Sequence, residues 1–117
     1  MRDFYDLIIW QKSHQLTLSI YFATGYFPKD EQFGLISQMR RSSSSIPANI
    51  AEGFGRSTNA QLKYFFSVAT GSCSELEYQL LLCKDLNYID QKNFTLLSEN
   101  VVVIRKMIST FINKLPL

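Results

Sequence analysis

The sequence predicts an all-α protein, an antiparallel up-down-up-down four-helix bundle whose second helix is kinked at a proline. Apolar residues recur at three- and four-residue spacing along four long segments, which is the period of helices that bury one face. Short stretches with glycine, proline or capping residues separate these segments, and no strand pattern with hairpin chemistry occurs. Short loops between long helices favour antiparallel neighbours, as in up-and-down bundles.

All 117 residues are expected to form one domain, residues 1–117, because 46% apolar and 19% charged residues are typical of globular proteins. The net charge of +2 is too balanced to indicate nucleic-acid binding by itself, so a basic surface requires local clustering. The amino terminus does not resemble a signal peptide, and no stretch approaches the ~18 apolar residues of a membrane span. We therefore expect a soluble, cytoplasmic protein with no membrane partner.

The first helix is predicted over residues 6–24 and carries two apolar stripes. The expected core stripe comprises Ile9, Leu16, Ile20 and Ala23. The second stripe, on a neighbouring face, comprises Leu7, Trp10, His14, Leu18 and Tyr21. A helix with two apolar faces has more surface to bury than a monomeric bundle needs. We therefore predict that Trp10, His14 and Tyr21 contribute to an oligomer interface, where His14 has a packing role and not a catalytic one.

The second helix is predicted to begin near Asp30 and to end at Gly53 or Gly55. It contains four consecutive serines at positions 42–45. A nucleophilic serine needs a positioned base, and neither a Gly-x-Ser-x-Gly elbow nor a Ser-x-x-Lys pair occurs. We expect these small side chains to allow close helix packing and to bond backbone carbonyls.

The most distinctive stretch of the chain, residues 40–56, lies in this second helix. Ile46, Ile50 and Phe54 recur every four residues, so they share the core face. A proline inside a helix removes one backbone hydrogen bond and clashes one turn back, so Pro47 predicts the kink. The predicted structural motif comprises Ile46, Pro47, Asn49, Ile50, Glu52, Gly53, Phe54 and Gly55.

The third helix is predicted over residues 59–86. Its expected core stripe comprises Leu62, Phe65, Phe66, Ala69, Cys73, Leu76, Leu80 and Cys83. A second apolar face contains Tyr64 and Tyr78, which we predict to join the oligomer interface. Gly71 lies in the middle of this helix, where glycine costs ~1 kcal/mol relative to alanine. This cost predicts a close backbone approach of another helix at Gly71.

The fourth helix is predicted over residues 91–115, with Asp90 as its amino-terminal cap and Pro116 as its stop. Its apolar residues follow an alternating three- and four-residue spacing: Phe94, Leu97, Val101, Ile104, Ile108, Phe111 and Leu115. This heptad pattern is typical of a helix in a left-handed bundle.

The residues that could hold a metal or perform redox chemistry are few. Cys73 and Cys83 are about 15 Å apart along the predicted third helix, beyond disulfide reach, so we expect buried free thiols. Their spacing does not fit a zinc site. One histidine cannot complete a di-iron carboxylate site, which takes histidine from two helices. We therefore expect no metal, no cofactor, no small-molecule substrate and no enzymatic activity.

The candidate nucleic-acid-binding residues are Arg40, Arg41, Arg56 and Lys63. A cluster of these cations would contact a phosphate backbone, and a symmetric ring would repeat it around an axis. The alternative interpretation involves a polar stripe of helix two formed by Arg41, Ser45, Asn49 and Glu52. This stripe would be solvated, or hydrogen-bonded to Glu75 or Glu77 of helix three. A third alternative is that Glu52, Glu75 or Glu77 acts as a catalytic acid or base. No nucleophile, set of metal ligands or cofactor-binding loop accompanies these carboxylates.

Residues 45–56 resemble the signature of the bacterial four-helix-bundle proteins encoded in large-subunit (23S) ribosomal RNA intervening sequences. Three further stretches are similar to the same family: residues 6–12, 71–77 and 82–86. The resemblance covers nearly the whole chain in order. Ser42, Ser43 and Ser44 depart from it, since the family often has alanine or valine there.

The resemblance implies a four-helix protomer that assembles into a homopentameric ring, which would account for the second apolar faces. The activity of the family is poorly defined, nucleic-acid binding is usually proposed, and no catalytic residues can be carried over. Similar bundles serve as accessory proteins of diversity-generating retroelements, where a strongly basic ring partners a reverse transcriptase; a charge of +2 argues against that version. The leading hypothesis is therefore an oligomer that binds RNA or DNA, and the alternative is a structural or protein-interaction scaffold.

Overall fold

The structure, a computed structural model, describes residues 3–116 and contains four α-helices: α1 (Ile8–Thr24), α2 (Ser37–Phe54), α3 (Asn59–Asp85) and α4 (Gln91–Asn113). The 3-10 helix Phe4–Asp6 precedes α1, and the 3-10 helix Lys29–Glu31 and the π-helix Gln32–Ile36 precede α2. No strand occurs among these residues. The predicted all-α, four-helix fold is confirmed. Met1, Arg2 and Leu117, at the ends of the predicted domain, lie outside the described residues.

Side chains cap the starts of α3 and α4. Thr58 Oγ1 accepts a hydrogen bond from Gln61 N at 3.2 Å. Asp90 Oδ1 accepts one from Asn93 N at 2.8 Å, as the sequence predicts. Each cap satisfies a backbone donor that the first helical turn leaves unpaired.

The start of α2 differs from the prediction of one helix from Asp30. The backbone leaves helical geometry at Gly34 (φ −109°, ψ −111°), and α2 begins only at Ser37. Glu31, and not Asp30, caps the π-helical turn that precedes α2, since its Oε1 accepts a hydrogen bond from Leu35 N at 3.3 Å. A Cβ at position 34 would lie 2.9 Å from that same oxygen, so the glycine makes room for the cap.

The second half of α2 follows the prediction. The helix ends at Phe54, and Gly55 follows as its cap. Ile46 and Ile50 are fully buried, and Phe54 is partly buried against the same core. The helix continues through Pro47, and the bend at this residue stays a prediction.

The close helix approach predicted at Gly71 is wrong. Gly71 is exposed, and a Cβ there would meet no heavy atom within 4 Å beyond the backbone of its own helix. The close contact is at Gly53 of α2, where a Cβ would lie 3.0 Å from both Phe65 Cβ and Phe66 Cδ1 of α3. Two helix backbones approach closely only where the glycine lies on the face that contacts the other helix. A position in the middle of the helix, as at Gly71, is not sufficient.

Buried apolar side chains from all four helices form one core. The predicted core stripes are confirmed at Ile9, Leu16, Ile20, Leu62, Phe66, Ala69, Cys73, Leu76, Leu80, Cys83, Leu97, Val101, Ile104 and Ile108, all of them buried. Partial burial is found at Ala23, Phe65, Phe94, Phe111 and Leu115. Most of these five lie near a helix end, where fewer neighbours cover them.

Polar side chains also cross the core between α1, α2 and α3. Thr17 Oγ1 donates to Ser43 O at 2.9 Å and joins α1 to α2. Ser42 Oγ donates to Gln79 Oε1 at 2.6 Å and joins α2 to α3. No buried side-chain nitrogen or oxygen within residues 3–116 lacks a hydrogen-bond partner. The serines of α2 therefore serve helix packing, as the sequence indicates.

Candidate nucleic-acid and oligomer interfaces

Arg40 is half-buried and bonded to the end of α1. Its Nε donates to Thr24 Oγ1 at 2.9 Å, and its Nη2 donates to Tyr21 O at 3.1 Å. Its guanidinium also lies 4.7 Å from the centroid of the Tyr21 ring. A cation near the carboxyl end of a helix interacts favourably with the helix dipole. Arg40 therefore joins α2 to α1, and two of its donors are already occupied.

Arg56 also has partners within the chain. Its Nη2 donates to Glu52 Oε1 at 2.6 Å, so the two residues form an ion pair one helical turn apart. Its guanidinium lies 4.8 Å from the centroid of the Phe65 ring on α3. Glu52, a member of the predicted structural motif, thus offsets the charge of one candidate cation.

Arg41 and Lys63 are the candidates whose charged groups remain available. Both side chains are exposed, and neither forms a hydrogen bond, ion pair or ring contact within residues 3–116. Arg40 and Arg56 are 16 positions apart in the sequence, which corresponds to about 24 Å along a helix. The four candidates therefore form one pair near the start of α2 and one pair near its end, not a single patch.

The polar stripe of α2 contacts α3 through hydroxyl groups. Asn49 Nδ2 donates to Ser45 O at 2.8 Å, and Ser45 Oγ lies 2.9 Å from Ser72 Oγ. Ser42, one turn earlier in α2, contacts Gln79, which lies later in α3. The two helices therefore run antiparallel, and part of the stripe is a helix-packing contact.

Glu75 and Glu77, which were expected to bond to this stripe, do not bond to it in residues 3–116. Glu77 Oε1 accepts a hydrogen bond from Arg105 Nε of α4 at 2.8 Å, so this side chain joins α3 to α4. Glu75 is exposed and makes no side-chain bond to α2 within the described residues. The expected contact between helix two and these two residues is therefore wrong, because Glu77 is on the α4 side of α3.

The five candidate oligomer-interface residues differ in their surroundings. Trp10 and His14 are half-buried and stack on each other, with ring centroids 5.1 Å apart and planes 7° apart. The ring of Tyr21 lies against the guanidinium of Arg40. Tyr64 and Tyr78 on α3 are 62% and 61% exposed. The two tyrosines of α3 thus present the larger free surface, whereas Trp10 is also covered by the rings of Phe4 and Tyr5.

Three aromatic residues that sequence reasoning missed are the most exposed large apolar side chains of residues 3–116. Phe33, Tyr26 and Phe22 are 90%, 77% and 72% exposed. The four-residue spacing of Leu18, Phe22 and Tyr26 was the available signal, since it extends the second apolar stripe to the end of α1 and into the turn that follows. For Phe33 no periodic signal exists, because it lies outside the regular helices.

An apolar groove of 620 Å³ opens between the end of α1 and the start of α4, and it is called the α1/α4 groove below. Its apolar lining includes Leu18, Phe22, Tyr26, Ile89, Leu96 and Leu97. The Phe22 and Tyr26 rings meet edge-on at 66°, with centroids 5.4 Å apart. The groove is therefore suited to an apolar or aromatic group.

The thiols of Cys73 and Cys83 are free and buried, as predicted. Burial raises the pKa of both thiols from 9.0 to about 12. At neutral pH both therefore stay protonated, and the reactive thiolate does not form.

Within residues 3–116, no group of three or more His, Cys, Asp and Glu side chains is placed to hold a metal ion. None of the helices in this part of the chain has the length and apolar character needed to cross a bilayer.

Comparisons with known proteins identify a matching family and a solved structure with the same fold. No curated protein matches the chain. A solved protein of unknown function from the S23 ribosomal protein family of Bacteroides thetaiotaomicron has the same fold, with a TM-score of 0.81 and 24% identity. The alignment covers 90% of this chain and 98% of that one. The family model described as 23S rRNA-intervening sequence protein matches residues 5–110. Since this match spans most of the bundle, the chain belongs to the family of 23S rRNA-intervening sequence proteins.

Proposed function

We propose that this protein is a non-enzymatic helical-bundle protein that acts as a homo-oligomer in the cytoplasm. The observation that carries the proposal is the apolar surface that a single chain leaves exposed on α1 and α3. Phe22 on α1, Tyr26 in the turn directly after it, and Tyr64 and Tyr78 on α3 are each more than 60% exposed. The Phe22 and Tyr26 rings contact each other and form a continuous exposed apolar surface, and surfaces of this kind mark interaction sites. The free, buried cysteines agree with a reducing compartment.

The two apolar surfaces lie on opposite sides of the bundle. α1 packs against α2 and α4, and α3 packs against the same two helices, so α1 and α3 are diagonal to each other. A contact between two different surfaces of identical chains is heterologous, and it forms a closed ring when the rotation between subunits permits. We propose the homopentameric ring implied by the sequence resemblance as the specific assembly.

Native mass spectrometry and sedimentation velocity at micromolar concentration test this proposal. A pentamer would have a mass of about 67 kDa, five times the 13.5 kDa of one chain. A single closed species of that mass is expected. A closed oligomer of another size would overturn the pentamer, and a monomer would overturn self-association as a whole.

A second function, nucleic-acid binding, is favoured by the free side chains of Arg41 and Lys63. Of the four cations predicted from the sequence, these two keep their donors available, since Arg40 and Arg56 have partners within the chain. A ring would repeat both cations once per subunit, which multiplies their attraction for a phosphate backbone. The remaining alternative is a scaffold that binds other proteins and no nucleic acid.

Fluorescence anisotropy with RNA and DNA duplexes, measured across salt concentrations, tests the second function. A phosphate contact weakens steeply as salt rises. The double variant Arg41→Ala/Lys63→Ala is expected to lose affinity. Its matched control is Lys92→Ala/Lys106→Ala, which removes two exposed lysines of α4 and the same net charge. No binding at low salt, or equal losses in both variants, would contradict a role for Arg41 and Lys63.

A further inference from the structure

Phe33 occupies an unusual position for a phenylalanine. It is 90% exposed, more than any other large apolar side chain of residues 3–116. It lies in the π-helical turn Gln32–Ile36, directly before α2. Water contact with so large an apolar side chain is unfavourable, and covering it is a source of binding free energy. The position therefore favours association with a partner surface.

Hydrogen bonds fix the turn that presents Phe33. Glu31 Oε1 accepts from Leu35 N at 3.3 Å, and Glu31 Oε2 accepts from Tyr88 Oη at 2.9 Å. Gly34 leaves the space that this carboxylate occupies. Tyr88 belongs to the connection between α3 and α4, so two separate parts of the chain hold the turn. Phe33 thus projects from a fixed backbone, which lowers the entropy lost when it binds.

The α1/α4 groove of the same chain offers a matching surface. Phe22 and Tyr26 lie open on one wall, and Leu96 is 55% exposed on the other. Aromatic rings gain from edge-to-face contact with a further ring. Because both Phe33 and the groove are exposed in one chain, Phe33 does not fill the groove of its own subunit.

We propose that Phe33 of one subunit inserts into the α1/α4 groove of the next subunit. This inference rests on the proposed self-association and names the contact that drives it. Covering Phe22, Tyr26 and Phe33 would bury on the order of 400–600 Å². That is about a third of the ~1,600 Å² of a standard interface. A protruding group and a groove on different surfaces make a heterologous contact, the type that builds rings.

Two complementary variants test this contact. Phe33→Ala removes the inserted side chain and keeps the groove, and Leu96→Arg blocks the groove and keeps Phe33. Each variant alone is expected to dissociate. Loss of a central aromatic anchor in Phe33→Ala weakens a contact by about thirtyfold or more, and the arginine of Leu96→Arg prevents Phe33 from entering the groove. An equimolar mixture is expected to form a heterodimer, because one intact Phe33 and one intact groove remain per pair. The matched control is Ile8→Ala, which truncates a 61% exposed side chain far from the groove.

Sedimentation velocity of wild type, variants and mixture distinguishes the outcomes, with circular dichroism to show that each variant is folded. A monomeric wild type would overturn the proposed self-association itself. An oligomeric wild type with an equally oligomeric Phe33→Ala variant would overturn only the Phe33 contact. Dissociation of both variants without a heterodimer in the mixture would overturn the pairing of Phe33 with this groove. Dissociation of the Ile8→Ala control would also overturn this pairing, because loss of the oligomer would then not be specific to Phe33 and the groove.

Discussion

Tyr88 and Glu31 are 57 positions apart in the sequence and are joined by a 2.9 Å hydrogen bond from Tyr88 Oη to Glu31 Oε2. The bond links the connection between α3 and α4 to the turn that precedes α2. It raises the pKa of Tyr88 above the ordinary 10.0, because the phenol proton is held by the carboxylate.

This relationship predicts a pH-dependent effect of Tyr88→Phe. A group with a raised folded-state pKa contributes stability below its unfolded pKa and loses it as the pH rises further. The free-energy difference between wild type and Tyr88→Phe should therefore be constant from neutral pH to pH 10.0 and shrink above it. Urea denaturation of both proteins between neutral and alkaline pH measures this difference. A difference that is the same at all pH values would show that the bond does not control the titration of Tyr88.

Gly53, at the α2–α3 contact, and Gly71, on the exposed face of α3, should respond oppositely to alanine. Gly53→Ala is expected to destabilise the protein by about 1–3 kcal/mol, because its Cβ would lie 3.2 Å or less from Leu62 O, Phe65 and Phe66. Gly71→Ala is expected to stabilise it by up to about 1 kcal/mol, since open space surrounds that position. Urea denaturation provides both values. If Gly71→Ala instead destabilised the monomeric protein, this result would contradict the open space around position 71.

Neighbouring arginines of α2 should differ in their contribution to stability. Arg40→Ala removes the bonds to Thr24 Oγ1 and Tyr21 O and should lower the free energy of unfolding by about 1–3 kcal/mol. Arg41→Ala is the control and should change it by no more than about 0.5 kcal/mol, because this side chain is exposed and unbonded in the described chain. Equal effects on thermal unfolding would contradict the structural role of Arg40.

The buried thiols predict a second dependence on pH. The folded-state pKa of Cys73 and Cys83 is about 12, above the ordinary 9.0, so their contribution to stability is fully present below pH 9.0. It decreases between these values, because the unfolded chain ionises its thiols first. The double variant Cys73→Ala/Cys83→Ala should therefore lose stability less steeply than wild type as the pH rises from 9.0. Parallel stability curves under reducing conditions would contradict this expectation.

Local signals in the sequence predicted most of the fold. Apolar spacing identified the buried faces, as at Ile46 and Ile50, and a capping residue marked the start of α4 at Asp90. The irregular start of α2 was not predictable in this way. It depends on Glu31 reaching Leu35 N and Tyr88, and the second partner comes from a distant part of the chain.

The candidate sites were less predictable, because they depend on how the helices are placed relative to one another. Sequence clustering grouped Arg40 with Arg41, but only the packing of α1 beside α2 puts Thr24 within reach of Arg40. The groove between α1 and α4 also combines residues from both ends of the sequence, such as Phe22 and Leu96. No single-helix pattern contains that information.

The polar contacts across the core have a consequence for the axial register of the helices. A slide of α2 by one turn, about 5.4 Å, would still keep Ile46 and Ile50 on the face directed to the core, because they are spaced by one turn. It would, however, separate Ser42 from Gln79 and Ser43 O from Thr17 Oγ1. Each buried polar group left without a partner costs roughly 1–3 kcal/mol. The serine-rich part of α2 therefore selects one alignment from several that an entirely apolar interior would accept.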